Sequence, residues 1–358
     1  MSRTTLCRQL VVLSLLFMAF DASVPAWAQG GNPDVWGKLW KSRYNGPAGS
    51  SDGATALGVS LDGASVFVSG YSFSSNGSYD YATVAYDAES GARRWVARYN
   101  GPGNGNDFAS ALRVSPDGAS VFVSGYSFSS NGSYDYATVA YDAESGARRW
   151  VARYNGPSEG DDVAYALAVS PNGRNLFVTG YSSRSNCSFD YATVAYDAAS
   201  GARRWVARYN GPGNGDDVAY ALAVSPDGAR VLVSGYSSGS NGTDDFATVA
   251  YDAASGARLW VARYNGPGNV DDVVTAVDVA PNGASVFVTG YSSGSGGSFD
   301  YATVAYDAAR GTQRGSARIG PGSATALRVG PQGTALFVTG SVGTPISDYG
   351  TVAYGLVP

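Results

Sequence analysis

"DYATVAYDAESGARRWVARYNGP" occupies residues 80–102, and the same 23 letters return at residues 135–157. A segment copied this faithfully is either a site or a building unit, and its internal pattern points to the second. YATVAYD and ARRWVARYN read as short strands, and DAESG between them is turn chemistry closed by a glycine. The stretch is a β-hairpin. Its tryptophan recurs at Trp40, Trp95, Trp150, Trp205 and Trp260, always 55 residues apart. The arginine of the following Arg-Tyr-Asn-Gly-Pro keeps step from Arg43 to Arg263. A sixth, degraded copy carries Gly315 and Arg318 in these places. Residues 62–102 and 117–157 are identical, which points to recent duplication.

Working outward, each period holds two more strand-like runs. In the second copy the four are ASALRVS (109–115), SVFVSGY (120–126), YATVAYD (136–142) and ARRWVARYN (147–155). Ser115-Pro116-Asp117-Gly118 joins the first two in a tight turn. Four antiparallel strands in a unit of this length are the signature of a β-propeller blade. The chain begins this pattern with a fourth-strand segment, KLWKSRYNGP (38–47), and ends it with a third-strand segment, DYGTVAYG (348–355). Joining them would complete a sixth blade and cover an exposed sheet edge. The expected architecture is all-β: a six-bladed β-propeller of four-stranded antiparallel blades, closed by pairing N-terminal and C-terminal strands in one blade.

Repeats such as residues 209–267 resemble the SBBP-type β-propeller repeats of bacterial exported proteins, and the resemblance covers essentially residues 29–358. AYDAESGARRW (85–95) is similar to the Trp-docking motif of quinoprotein propellers, with Ser90 where that motif has threonine. The resemblance implies blade packing and brings little function with it.

Residues 1–28 read as a cleaved signal peptide. Arg3 and Arg8 precede an apolar run at Leu10–Phe20, and Ala26-Trp27-Ala28 offers small residues where a peptidase reads. That run is too short for a membrane helix. The expected location is secreted, periplasmic or cell-surface, with residues 29–358 one propeller domain and no membrane span within it. The chain has no histidine, so His-based triads and His-ligated metal centres are excluded. Its net charge of −5 and lack of basic runs argue against nucleic acid as a partner.

Four sets of residues invite a site. Asp107, Asp162, Asp217 and Asp272 form a column, begun by Asp52, just ahead of each first strand. Three belong to doublets, Asp161–Asp162, Asp216–Asp217 and Asp271–Asp272, which are candidate calcium ligands. They lack the spacing of a self-contained calcium loop, and aspartate is an ordinary turn residue. No other cofactor is implied. Arg113, Asp278 and Arg328 break the symmetry of the strand expected to line the central channel, with Asp278 and Arg328 placed to pair. The loop aromatics Phe73, Phe128, Tyr79, Tyr134, Phe189 and Phe299 could stack on sugars.

The remaining recurrent residues read as structure. The tryptophans suit docking between blades. With Tyr141 paired to Ala147, Asp135 would stand opposite Arg153, and the same pair recurs in every blade, including Asp348 with Arg43 across the closure. The function these features favour is an exported, non-catalytic, monomeric scaffold binding protein or carbohydrate at its long-loop face. The alternatives are an Asp/Tyr/Arg-based carbohydrate enzyme and a purely structural surface protein.

Overall fold

The computed structural model describes residues 37–294, 298–343 and 348–356, so the expected signal peptide lies outside the described residues. Alternation and turn residues give strands throughout, and no helix occurs among the described residues. The first sheet contains β1 (Asp52–Val59), β2 (Ser65–Phe73), β3 (Tyr79–Asp87) and β4 (Arg93–Tyr99). The second contains β5 (Asp107–Val114), β6 (Ser120–Phe128), β7 (Tyr134–Asp142) and β8 (Arg148–Tyr154). The third has β9 (Asp162–Val169), β10 (Asn175–Ser183), β11 (Phe189–Asp197) and β12 (Arg203–Tyr209). The fourth has β13 (Asp217–Val224), β14 (Arg230–Ser238), β15 (Asp244–Asp252) and β16 (Arg258–Tyr264). The fifth has β17 (Asp272–Val279), β18 (Ser285–Ser293), β19 (Phe299–Asp307) and β20 (Gln313–Ile319). The sixth has three strands, β21 (Gly322–Val329), β22 (Ala335–Val342) and β23 (Asp348–Gly355).

All pairings are between antiparallel neighbours in sequence, so each sheet is a meander. First strands of successive sheets contact one another in chain order, β1 to β5 and onward to β21. The core lies between sheets. Phe67, Tyr81 and Trp95 of the first sheet pack with Leu112, Val121, Val123 and Val139 of the second, and equivalent clusters fill the next four junctions.

The repeated hairpin explains how sheets are joined. Trp95 Nε1 donates to the Ala143 carbonyl of the following sheet at 3.0 Å, and Trp150, Trp205 and Trp260 make the same bond to Ala198, Ala253 and Ala308 at 3.1 Å. The ring lies on the glycine that closes the next DAESG turn. Gly146 has φ 73°, and a Cβ there would come within 2.6 Å of Trp95. Turn conformation and docking space thus demand the same residue. Gly315 occupies the tryptophan position of β20, so the fifth and sixth sheets meet without this bond.

One expectation needs correction, and a second is not met by the described strands. Tyr141 pairs with Arg148 rather than Ala147, and a bulge beyond Ala140 places Ala137, not Asp135, opposite Arg153. The extra residue in β8 shifts the ladder, yet the ion pair survives because the long arginine reaches diagonally. The second concerns the ends. Segment 38–46 is not a strand, β23 pairs only with β22, and Arg43 and Asp348 are both exposed rather than paired. The segment is instead held against the first sheet. Trp40 Nε1 donates to Ala88 O at 2.9 Å, Ser42 Oγ donates to Gly91 O, and Gly46 N donates to Asp52 Oδ2 at 2.9 Å. Tyr44 OH accepts from Arg98 at 3.1 Å. Trp95, Gly101 and Tyr99 make the same bonds one repeat later.

Candidate functional site

The acidic column and the Asp–Arg pairs turn out to be one network. Arg153 donates Nη1 to Tyr99 OH (2.9 Å) and Ser127 Oγ (2.7 Å), and Nη2 to Ser127 O (3.1 Å) and Asp135 Oδ2 (3.0 Å). Ser127 also hydrogen-bonds Asp107. Asp107 accepts from Gly101 N at 2.7 Å and Phe128 N at 3.1 Å. The Arg–Asp pair recurs at Arg98–Asp80, Arg208–Asp190, Arg263–Asp245 and Arg318–Asp300 within 3.2 Å. A Cβ on Gly101 would lie 2.0 Å from Ser127 Oγ, which explains the glycine of Asn-Gly-Pro. Asp107, Asp162, Asp217 and Asp272 are fully buried. Burial pushes Asp162 and Asp217 up to about 6 and also raises Asp107 and Asp272. The network therefore fixes the long connection between sheets, and these four aspartates offer no solvent-exposed carboxylate.

The doublets divide their work. Asp161, Asp216 and Asp271 each accept a backbone N–H from the start of the preceding sheet's third strand: Tyr134, Phe189 and Asp244, at 2.9–3.1 Å. Asn106 does the same for Tyr79 at 3.0 Å, so the position asks for an acceptor rather than a charge. Among the described residues no group of three or more acidic or cysteine side chains is arranged to hold a metal.

In the first-strand column expected to line a channel, Asp278 and Arg328 approach to 3.7 Å. Asp278 is otherwise engaged by Val279 N and Val329 N, both at 2.9 Å. Arg113 donates to the neighbouring Leu112 carbonyl at 2.8 Å.

Sequence reading missed the most extensive feature of the long-connection end. Tyr71, Tyr79, Phe108, Tyr126 and Tyr134 form a chain of rings with centroids 5.2–5.6 Å apart. Tyr181, Tyr165, Tyr220 and Tyr236 form a second chain at 5.2–6.0 Å, packed in one cluster with Tyr126, with Phe189 on Tyr181 at 4.4 Å; Tyr291 meets Phe299 separately at 4.9 Å. Loop aromatics were legible as single residues, but their strand-end partners belong to different sheets. One position breaks the belt. Where Tyr79, Tyr134, Phe189 and Phe299 stand in four sheets, the fourth sheet has Asp244. Its carboxylate accepts from Ser238 Oγ at 2.9 Å and is raised by burial and by the charges of Asp271, Asp216 and Asp245. The phenols of Tyr220, Tyr236 and Tyr291 are raised too, chiefly by burial, with Asp244 contributing. The arrangement is a single acidic interruption in an aromatic rim, suited to a cationic group flanked by apolar or stacking surface. The signal for it was the substitution of TDDF for SYDY and SFDY in one repeat.

Compared with known proteins, residues 32–346 match the family model described as outer membrane protein assembly factor BamB. The chain belongs to the BamB family. The match is to BamB-type propeller repeats and does not itself show the SBBP type, and the quinoprotein-like Trp docking fits loosely. No curated protein matches by sequence. Among solved structures, the chain is similar to Sqt1 of Chaetomium thermophilum at 15% identity and a TM-score of 0.55, covering 80% of this chain and 67% of that one. It is also similar to Sqt1 bound to the N-terminus of ribosomal protein L10, at 16% identity and a TM-score of 0.53, covering 78% and 66%. The chain thus spans about two thirds of the Sqt1 chains, and the likeness shows the propeller fold alone.

Proposed function

We propose that this BamB-family propeller is an exported, non-catalytic scaffold that binds a basic segment of a partner protein across the aromatic rim, centred on the fourth and fifth sheets. The observation that carries the reading is Asp244. It replaces an aromatic side chain that the rim otherwise repeats, and with Asp216 and Asp271 it concentrates negative charge among tyrosines. Tyrosine-rich surfaces supply contact area at low entropy cost, and a local acidic centre selects lysine or arginine. The family's description as an assembly factor and the peptide held by Sqt1 support a protein partner. We further propose that segment 38–46 completes the sixth sheet, giving six blades closed into a ring.

The test is anisotropy of a labelled lysine/arginine-rich peptide, with an acidic peptide and a glycan panel alongside. Salt-sensitive binding of the basic peptide, weakened at least about ten-fold by Asp244→Tyr, is expected. Binding of glycans in preference to peptide would favour the carbohydrate reading instead. Equal binding by the wild type and Asp244→Tyr would overturn the assignment of the site.

A further inference from the structure

At the end of the sheets opposite the long connections, a cavity of about 510 Å³ lies between the β5–β6 turn of the second sheet and the β9–β10 and β11–β12 turns of the third. Its size suits a small ligand. Pro116 and Pro171 supply apolar wall, and Asp117, Arg174, Asp197 and Arg204 supply charge. The turns beneath it stack closely, since a Cβ on Gly173 would meet Pro116 at 3.6 Å. Other junctions stack in the same way, with a Cβ on Gly228 meeting Pro171 at 3.5 Å and one on Gly333 meeting Pro281 at 3.6 Å. Two residue changes set this junction apart. Arg174 stands where the other repeats have Ala64, Ala119, Ala229, Ala284 and Thr334. Its carbonyl accepts from Ala198 N at 3.0 Å, which fixes it beside Asp197. Its backbone N–H donates to Asn172 Oδ1 at 3.0 Å, but among the described residues its side chain makes no hydrogen bond or ion pair. Arg204 holds Asp197 Oδ2 through Nη2 at 2.6 Å. In three sister repeats Nη1 of that arginine also donates to a serine: Arg94 to Ser65 and Arg149 to Ser120 at 2.8 Å, and Arg314 to Ser285 at 3.0 Å. Asn175 replaces that serine in the third sheet, and Arg204 makes no such bond. Both carboxylates are held by their own turns, Asp197 Oδ1 by Ser200 N at 2.9 Å and Asp117 Oδ1 by Ala119 N at 3.0 Å. Two changes within one repeat thus leave two guanidiniums with free donors on one cavity.

We propose that Arg174 and Arg204 form a binding site for the oxyanion of a small ligand, a phosphate or carboxylate group seated between the second and third sheets. The planar fork of Arg174 fits either group bidentately, and Arg204 Nη1 adds a further charge-assisted bond. The site needs neither the rim nor closure of a ring, because its walls come from two complete four-stranded sheets that are neighbours in the chain.

Titration with inorganic phosphate and, separately, acetate tests this, followed by nuclear magnetic resonance of the arginine side-chain N–H groups, with chloride holding ionic strength constant. The expected result is saturable binding of at least one of the two, weakened about ten-fold or more in Arg174→Ala. That variant carries the residue of four sister repeats, so it should fold as they do. Asn175→Ser restores the serine that engages Nη1 of the sister arginines, and should weaken binding by at least about three-fold. Response to phosphate alone or to both anions tells which group the site prefers. Asp244→Tyr should leave this binding unchanged, so failure of the peptide reading would not touch it. A response no larger than that to chloride, or one unchanged in Arg174→Ala, overturns the proposal. Unchanged affinity in Asn175→Ser would remove Arg204 from the site and overturn the shared assignment. Without added anion, Arg174→Ala should unfold at the same or higher urea concentration than wild type. A clear loss of stability would show that Arg174 already has its partner, and would overturn the proposal as well.

Discussion

Glycine 146 carries two demands that can be separated by mutation. Its φ of 73° disfavours any side chain, and Trp95 fills the space where a Cβ would project. Gly118 has nearly the same φ, 74°, with nothing within 4 Å of a Cβ. Gly118→Ala should therefore cost only the backbone strain, about 1–2 kcal/mol. Gly146→Ala should cost a further ~1–3 kcal/mol from displacing the indole, as overpacking does. Equilibrium unfolding in urea measures both, and equal losses would show that the docked ring yields freely. The carboxylates give a second test at this scale. Asp162 and Asp217 are raised to about 6 by burial, so their folded forms hold protons that the unfolded chain releases near pH 4. Their contribution is full below the unfolded value and is lost as pH climbs through about 6. Asp197 runs the other way. Arg204 and Ser200 hold it down to about 2, so its contribution is present above the unfolded value and is lost as pH falls toward that number. The melting temperature should peak between these windows and decline from pH 5 to pH 7. Asp162→Asn and Asp217→Asn together should flatten that decline. An unchanged slope in the double variant would remove these two residues as its source.

Each blade is held by more than its ladder. Arg153 ties its own sheet's second and third strands to Tyr99 of the sheet before, while Asp107 pins the long connection to the same serine. Arg153→Ala leaves the nearly buried Asp135 without its cation, and should cost about 3–5 kcal/mol, as loss of one partner of a buried pair does. Asp135→Asn in that background should cost far less than it does alone, and a double-mutant cycle in denaturant reads the difference. Strictly additive losses would mean the pair does not act as a unit. Much of this element was legible beforehand. The tryptophan column, the turn at Asp-Ala-Glu-Ser-Gly and the Asp–Arg pairing all follow from a 55-residue period. The register was not, because the bulge beyond Ala140 is set by packing rather than by alternation. Nor was the link through Ser127, which lies 26 residues from Arg153 and looks like one more loop serine. The rim was hidden for the same reason, as Tyr165 and Tyr220 meet only once neighbouring sheets pack.

At the scale of the whole molecule, the proposed ring requires the two ends to meet as halves of one junction. A groove of about 390 Å³ on the first sheet is lined by Leu57, Val66, Val68, Val84 and Tyr86, with Trp40 and Tyr44 already seated at its edge. Their counterparts Leu112, Val121, Val123, Val139 and Tyr141 are buried against the first sheet. The sixth sheet holds the matching side chains exposed: Phe337 at 46%, where Phe67 and Phe122 are at 1%, and Tyr349 at 90%, where Tyr81 and Tyr136 are at 0%. The two halves belong to one chain whose first strands contact one another in unbroken order from β1 to β21, which keeps them at high effective concentration. Closure should then proceed within one chain, pairing segment 38–46 with β23. Hydrogen exchange checks this directly: the amides of β23 should exchange as slowly as those of β19, which pairs on both edges. Trp40→Ala should speed exchange in β23 and β1 together, because one side chain serves both ends, while the junction between the second and third sheets stays protected. A buried tryptophan is worth at most ~4–6 kcal/mol by area, so its loss should open the junction without unfolding the rest. Protection of β23 that rises with protein concentration would assign the junction to a second copy. Fast exchange of β23 at every concentration would leave the sixth sheet with three strands and an open edge, and would sink the closed ring.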